Sequence, residues 1–235
     1  ELDGAFAEVG ADPDVRCVVL ASAYEKYFSV GADLGAMAGG VDRDAPDAED
    51  RMADSIGLLA AALDRIEDCP KPVIAALNGH ALGGGCELSL CCDYRIMVED
   101  GRSRIGQTES ALGIIPGFGG TQRLPRLIGK ARALPLLLEG VRLSAREAEA
   151  VGLVNRAVAP EELEATVAEL AGRLSKMATR ALALIKDSVN RGLDRPLAEA
   201  MKIESRNFAR ATLTEDAVAG IVAFLSKQEP EFKGR

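Results

Sequence analysis

Hydrophobic and polar positions along the chain alternate between short apolar runs and amphipathic stretches. Val73 to Leu77 is an apolar run bounded by Pro72 and by Asn78-Gly79, the pattern of a buried strand ending in a turn. Val15 to Leu20, Asp93 to Val98, Ser103 to Gly106 and Val154 to Val158 are read as further strands. Between them, residues 51 to 67 place Ile56, Leu59, Leu63 and Ile66 at helical spacing. Helices are also predicted at residues 1 to 9, Gly117 to Ile128 and Lys130 to Leu138. Ser144-Ala-Arg-Glu147 matches a capping box that opens a helix to Ala150. From Pro160, a favourable helix start, the pattern is helical throughout: about 161–175, 178–191, 196–210 and 214–227. Alternating strands and helices followed by an all-helical tail predict an α/β core, residues 1–160, and a C-terminal helical region, residues 161–235. Ser22 to Ser29 is read as a loop, and residues 37 to 50, rich in Ala, Gly and Asp, as a mobile loop over a binding site.

Composition narrows the picture. The chain has 235 residues, 48% of them hydrophobic, which suits one domain or one with a helical appendage. A net charge of −8 argues against broad binding to nucleic acid or anionic membranes. No stretch of about 20 apolar residues is present to span a bilayer, and the first residues show no secretory h-region. The five cysteines, at 17, 69, 86, 91 and 92, lack C-x-x-C spacing, and the single histidine, His80, makes no metal cluster with them. Reduced, buried thiols in a cytoplasmic protein are the expectation. His80, after the Asn-Gly turn, is read as a polar packing residue.

The chemistry concentrates in residues 72 to 93. After the Val73–Leu77 strand come three glycines, Gly83, Gly84 and Gly85, and then a short helix with Cys86, Leu88, Leu90 and Cys91 on its apolar side. Such a turn lets a ligand approach the backbone, and the first N–H groups of the helix have no internal partner. No Gly-Lys-Ser/Thr follows the glycines and no Gly-x-Gly-x-x-Gly is present, so the segment is no nucleotide loop. From this stretch alone two readings stay open: a site for a small developing oxyanion, or glycines that only permit close helix–strand packing. Glu87 sits in the first turn of that apolar helix, where a carboxylate is costly unless paired or used.

Three motifs together carry a resemblance: Gly31-Ala-Asp33, then Asn78-Gly-x-Ala-Leu-Gly-Gly-Gly-x-Glu87, then Ile115-Pro-Gly-x-Gly-Gly-Thr-Gln-Arg-Leu124. From about residue 15 to the C-terminus the chain resembles the enoyl-CoA hydratase/isomerase (crotonase) family, and within it the enoyl-CoA hydratases. The resemblance implies a crotonase-like ββα superhelix core with a C-terminal helical trimerisation region, assembled as a homotrimer or a dimer of trimers. It further implies a strand and hairpin ahead of the first helix, which this sequence lacks. The implied reaction is addition of water to a 2-enoyl-CoA thioester, giving a 3-hydroxyacyl-CoA. Glu87 would orient or deprotonate the water and Glu109 would give a proton to carbon. The backbone N–H groups of Ala32 and Gly84 would form the oxyanion hole.

The acyl-CoA substrate would be held by Lys26, by the segment Ala32, Asp33, Leu34 and Gly35, by Gly84 and Gly117, and by Phe208 and Lys227 reaching it from a neighbouring subunit. Gly35 stands where many family members have a lysine, which reduces the implied phosphate contacts. No cofactor beyond the substrate's own coenzyme A, no metal, no nucleic acid and no membrane is implied. Retention of both glutamates favours hydration over double-bond isomerisation. Thioester hydrolysis and a non-catalytic acyl-CoA-binding role are the alternatives. Acyl-chain length and pathway are not encoded in any motif.

Overall fold

The structure, a computed structural model, describes residues 1–33, 35 and 45–234. The predicted loop over residues 37–50 therefore falls largely outside the described residues, as does Leu34. The chain divides into two compact units. One comprises Glu1–Val18, Asp68–Val73 and Ala168–Arg235, and the other Val19–Glu67 and Ile74–Val167.

In the larger unit, the strands are β1 (Val18–Ala21), β2 (Tyr27–Ser29), β3 (Val73–Leu77), β4 (His80–Leu82), β5 (Tyr94–Val98), β6 (Ile105–Gly106) and β7 (Arg156–Val158). Odd strands form one sheet, in the order β1-β3-β5-β7, and even strands form another, β2-β4-β6. Successive strands thus pass from one sheet to the other, and a helix returns the chain to the next turn. The described pairings, β2–β4, β4–β6, β3–β5 and β5–β7, are all parallel, as expected when every partner is reached by a crossover. All five residues of β3 are buried, which explains why it reads as a continuous apolar run rather than an alternating one.

Two of these strands were not expected from the sequence. β2 lies within the segment read as a loop, and β4 lies between the Asn-Gly turn and the glycines. Each has three residues, too few to establish a hydrophobic period. What holds them is pairing: Tyr27 opposite His80 and Ala81 opposite Ile105. Elsewhere the predicted elements form with shifted ends. The helix expected at 51–67 is α2 (Ala48–Glu67), following α1 (Leu2–Ala11). The short helix after the glycines is α3 (Gly84–Leu90). The helix expected from Gly117 begins at Gly120 as α4 (Gly120–Ile128), because Gly119, at φ 104°, stands outside helical geometry. Then come α5 (Lys130–Glu139) and α6 (Ala145–Ala150), the latter opened by the Ser144–Glu147 capping box as its sequence predicts.

The other unit carries α8 (Thr179–Gly192), α9 (Leu197–Thr212) and α10 (Glu215–Leu225), preceded by α7 (Leu163–Ser175). Arg16 ties this unit's distant segments together, donating to Thr179 Oγ1, the Met177 carbonyl and the Phe232 carbonyl. Among the described residues no helix is long and apolar enough to cross a membrane. All five cysteines are thiols, four of them buried.

α3 is anchored at its C-terminal end by a buried cation. Arg95 on β5 is 5% exposed. Its Nε donates to the Leu153 carbonyl at 2.9 Å, and its Nη1 to the carbonyls of Ser89, at 3.2 Å, and Cys92. Ser89 lies in the last turn of α3 and Cys92 just past it, so the cation sits at the negative end of the helix dipole. Arg95→Met keeps much of the volume but leaves the carbonyls without this donor. The variant is expected to lose on the order of 2–4 kcal/mol of unfolding free energy, read from urea denaturation of the full chain.

Candidate active site

α3 starts where three backbones converge. Gly83 adopts φ 54° and ψ −127°, a conformation open essentially to glycine alone, and turns the chain from β4 into the helix. A Cβ at Gly85 would lie 2.0 Å from the Ser29 carbonyl oxygen, so the helix seats directly on the end of β2. A Cβ at Gly84 would meet Gly31 Cα at 3.0 Å and Ala32 N at 3.6 Å. The Gly31–Ala32 backbone and the helix start are therefore neighbours. The close-packing reading of the glycines holds, and that packing brings the Ala32 and Gly84 segments side by side. The first intrahelical bond runs from Glu87 N to the Gly83 carbonyl, so the Gly84 N–H lies ahead of it with no acceptor inside the helix.

Glu87 is 1% exposed. Its Oε1 accepts from the N–H groups of Phe118 and Gly120, each at 2.7 Å. Burial raises its pKa above the ordinary carboxylate value. The Gly120 and Phe118 donors pull it back, the charge of Glu109 raises it and that of Arg123 lowers it. With Oε1 saturated by backbone donors, Oε2 is the oxygen left for other partners.

Glu109 opens a single 3₁₀ turn, Glu109–Leu112, directly after β6. It is 8% exposed, and burial raises its pKa as well, against the lowering effect of the Glu109 and Thr108 backbone N–H groups. Its carboxylate reaches the helix start: a Cβ on Gly83 would lie 2.8 Å from Glu109 Oε1. Gln107, 1% exposed, neighbours both, and its amide is assigned with the nitrogen toward acceptors, donating to Glu109 Oε2 at 3.2 Å and to the Gly83 carbonyl at 3.3 Å. Two buried carboxylates with raised pKa values thus border one glycine turn, arriving from elements 22 residues apart in sequence.

The remaining positions are placed as follows. Ala32, Asp33 and Gly35 are exposed, and Asp33 Oδ1 accepts from Gly35 N at 2.8 Å. Lys26 is exposed, and its carbonyl accepts from His80 N at 2.9 Å. Gly117 is exposed, next to Ile56 of α2. Phe208 and Lys227 belong to the other unit. Phe208 is 71% exposed on α9, and Lys227, at φ 54°, follows α10. His80 packs as its position predicts, its ring 5.8 Å from that of Tyr27 and its Nδ1 accepting from Arg104 N. Among the described residues no cluster of three or more His, Cys, Asp or Glu has the arrangement of a metal site.

Sequence reasoning missed Gln107, Arg123 and the N–H groups of Phe118 and Gly120. Backbone donors leave no residue-type signal. Gln107, two positions before Glu109, is a polar residue in a short strand exit, which by itself reads as surface.

The family model described as enoyl-CoA hydratase/isomerase matches residues 1–235. A protein of Syntrophomonas wolfei named crotonyl-CoA hydratase is 41% identical over 232 residues, covering 99% of this chain and 86% of that protein. A Clostridium acetobutylicum protein named short-chain-enoyl-CoA hydratase is 40% identical over 237 residues, covering 100% of this chain and 87% of its own length. The crystal structure of an enoyl-CoA hydratase from Bacillus anthracis superposes with a TM-score of 0.90 at 38% identity, covering 100% of this chain and 87% of that one. With a crotonase fold and a match along its whole length, this chain belongs to the enoyl-CoA hydratase/isomerase family.

Proposed function

We propose that this protein hydrates 2-enoyl-CoA thioesters to 3-hydroxyacyl-CoA, as the names of its relatives indicate for them. The observation that carries the reading is the pair of buried carboxylates, Glu87 and Glu109, bordering the glycine turn at the start of α3.

Their surroundings differ in a way that separates their roles. Two N–H donors at 2.7 Å stabilise the anionic form of Glu87, which suits a base. Burial is the main influence on both carboxylates and backbone N–H groups oppose it at both, so the two short donors on Glu87 Oε1 are what favours Glu87 as the base and leaves Glu109 as the acid. In these assigned roles Glu87 acts in its ionised form and Glu109 in its protonated form. Glu87 takes a proton from water, and the oxygen bonds to the β-carbon of the enoyl group. The π electrons move to the thioester oxygen as an enolate. The enolate then collapses as its α-carbon takes the Glu109 proton. Proton exchange with solvent resets the pair. The N–H groups of Ala32 and Gly84 are assigned to the enolate oxygen, where fixed dipoles act without reorganisation.

For the thioester itself, Lys26, the segment 32–35 including Leu34, and Gly117 are assigned as contacts within one subunit, Phe208 and Lys227 are assigned to the thioester bound by a neighbouring copy, and no cofactor is required. The proposed assembly is a homotrimer, alone or paired. Phe208, Leu213, Ile221, Phe224 and Leu225 support it, large apolar side chains that are 59–88% exposed in the single chain.

Crotonyl-CoA is expected to lose its conjugated absorbance and gain one water by mass spectrometry. Release of free coenzyme A would mean hydrolysis instead, and an unchanged mass with a moved double bond would mean isomerisation. Glu87→Gln and Glu109→Gln are each expected to lower kcat by about 10²–10⁴-fold. The pH profile of kcat/KM is expected to be bell-shaped. It rises as Glu87 ionises and falls as Glu109 ionises, both limbs lying above pH 4.5, the ordinary carboxylate value from which both groups are raised. Sedimentation equilibrium is expected to give three or six copies, and Phe224→Glu to shift the population toward monomer.

A further inference from the structure

The loop that holds Glu87 is itself held. Glu87 Oε1 depends on the N–H groups of Phe118 and Gly120. Between those donors in sequence lies the Phe118–Gly119 peptide, whose carbonyl oxygen accepts from Arg123 Nη1 at 3.0 Å. The rest of the guanidinium is spoken for by α2. Nε and Nη2 both donate to Glu67 Oε2, at 2.8 and 2.6 Å, and Nη2 also donates to Asp64 Oδ1 at 2.6 Å. The side chain of Arg123 is 16% exposed. It folds back over Gly119, where a Cβ would lie 2.1 Å from Nη1, and Gly119 has φ 104°. Only a glycine there admits both the backbone turn and the guanidinium. One planar group therefore joins the last turn of α2 to the middle peptide of the loop, and fixing that peptide orients the donors on either side of it.

We infer that Arg123 is a positioning residue for the reaction: anchored by Asp64 and Glu67, it fixes the Phe118–Gly119 peptide and through it the two N–H groups that hold the Glu87 carboxylate. The inference rests on the reading of Glu87 as the base. Only a fork can do this. A lysine ammonium at the same place keeps the charge, but as a single point it cannot grip Glu67, Asp64 and the Phe118 carbonyl in one fixed plane.

Arg123 also acts through its charge. Among the described residues, the charged and titratable groups around Glu87 include Glu109 from the 3₁₀ turn, the Cys86 thiol on its own helix, the Cys91 thiol just past that helix, which donates to the Glu87 carbonyl, and Arg123 from α4. The loop 117–120 adds none. Around Arg123 stand Glu67 and Asp64 from α2 and Cys91 just after α3. Arg123 is a cation acting on Glu87, and its charge favours the ionised carboxylate. Removing it, and loosening the two N–H donors, both raise the pKa of Glu87, so the base form appears only at higher pH.

The test uses the full chain with crotonyl-CoA and compares wild type, Arg123→Met, Arg123→Lys and Glu87→Gln. Thermal midpoints are recorded beside kcat, KM and the pH profile. Arg123→Met is expected to lower kcat on the order of 10- to 100-fold with KM little changed. It is also expected to move the acidic limb of kcat/KM upward by about one pH unit. Arg123→Lys, which keeps the charge but not the grip on the peptide, is expected to bring the limb part of the way back while kcat stays low. A folded Arg123→Met with wild-type kcat and an unmoved limb overturns the inference. If Arg123→Met does not fold, Arg123→Lys with wild-type kcat overturns it. A purely structural residue would lower the midpoint and leave the limb in place. Full activity in Glu87→Gln would instead remove the assignment of Glu87 itself. An inactive Glu87→Gln beside unaffected Arg123 variants would remove only the role of Arg123.

Discussion

The structure around the glycine turn depends on the burial of one carboxylate. Taking an ionised carboxylate out of water costs several kcal/mol unless donors replace the lost hydration. Glu87 is 1% exposed and receives two backbone N–H bonds at 2.7 Å on a single oxygen. Those donors can converge only because the loop 117–120 is nearly bare of side chains and turns through a left-handed glycine. The requirement then propagates outward. The loop needs Arg123 on its carbonyl, Arg123 needs Asp64 and Glu67, and their helix must end where those acids face it.

The same constraint explains the density of glycines in this part of the chain. A helix whose first turn is to expose N–H groups between two strands must approach other backbones closely. Gly84 lies against Gly31 and Gly85 against Ser29, both at distances a side chain would prohibit. Distributing consecutive strands to two sheets makes that approach possible. The turn from β4 into α3 sits beside the end of β2 in one direction and the exit of β6, with Gln107 and Glu109, in the other. Arg95, at the far end of α3, completes the clamp by tying the Ser89 carbonyl of its last turn to the Leu153 carbonyl. Neither end of so short a helix would be stable by propensity alone, since seven residues are well below the length at which a helix supports itself.

Long, periodic features were legible from the sequence for a direct physical reason: their signal repeats. α2, the buried strand β3, the capping box of α6 and the run of C-terminal helices each carry several residues that agree. β2 and β4 were not legible, because three residues give no period and their stability comes from pairing with partners far along the chain. The start of α4 was misplaced for a related reason. Apolar and small residues continue across 117–119, and only the left-handed conformation of Gly119 ends the helical geometry there.

What the sequence determined by itself was the type of each long element, the family through three linked motifs, and a short set of chemically costly residues, Glu87 foremost. Residue type and local spacing carry that information. The tertiary structure alone decided which groups meet. It set Glu109 and Gln107 against the Gly83 turn, aimed the N–H groups of Phe118 and Gly120 at Glu87, and placed Arg123 between two acids and a carbonyl. Backbone donors look the same in every residue, and contacts between elements dozens of residues apart leave no local pattern. Such meetings are fixed by how the sheets and helices stack, not by any stretch of sequence read alone.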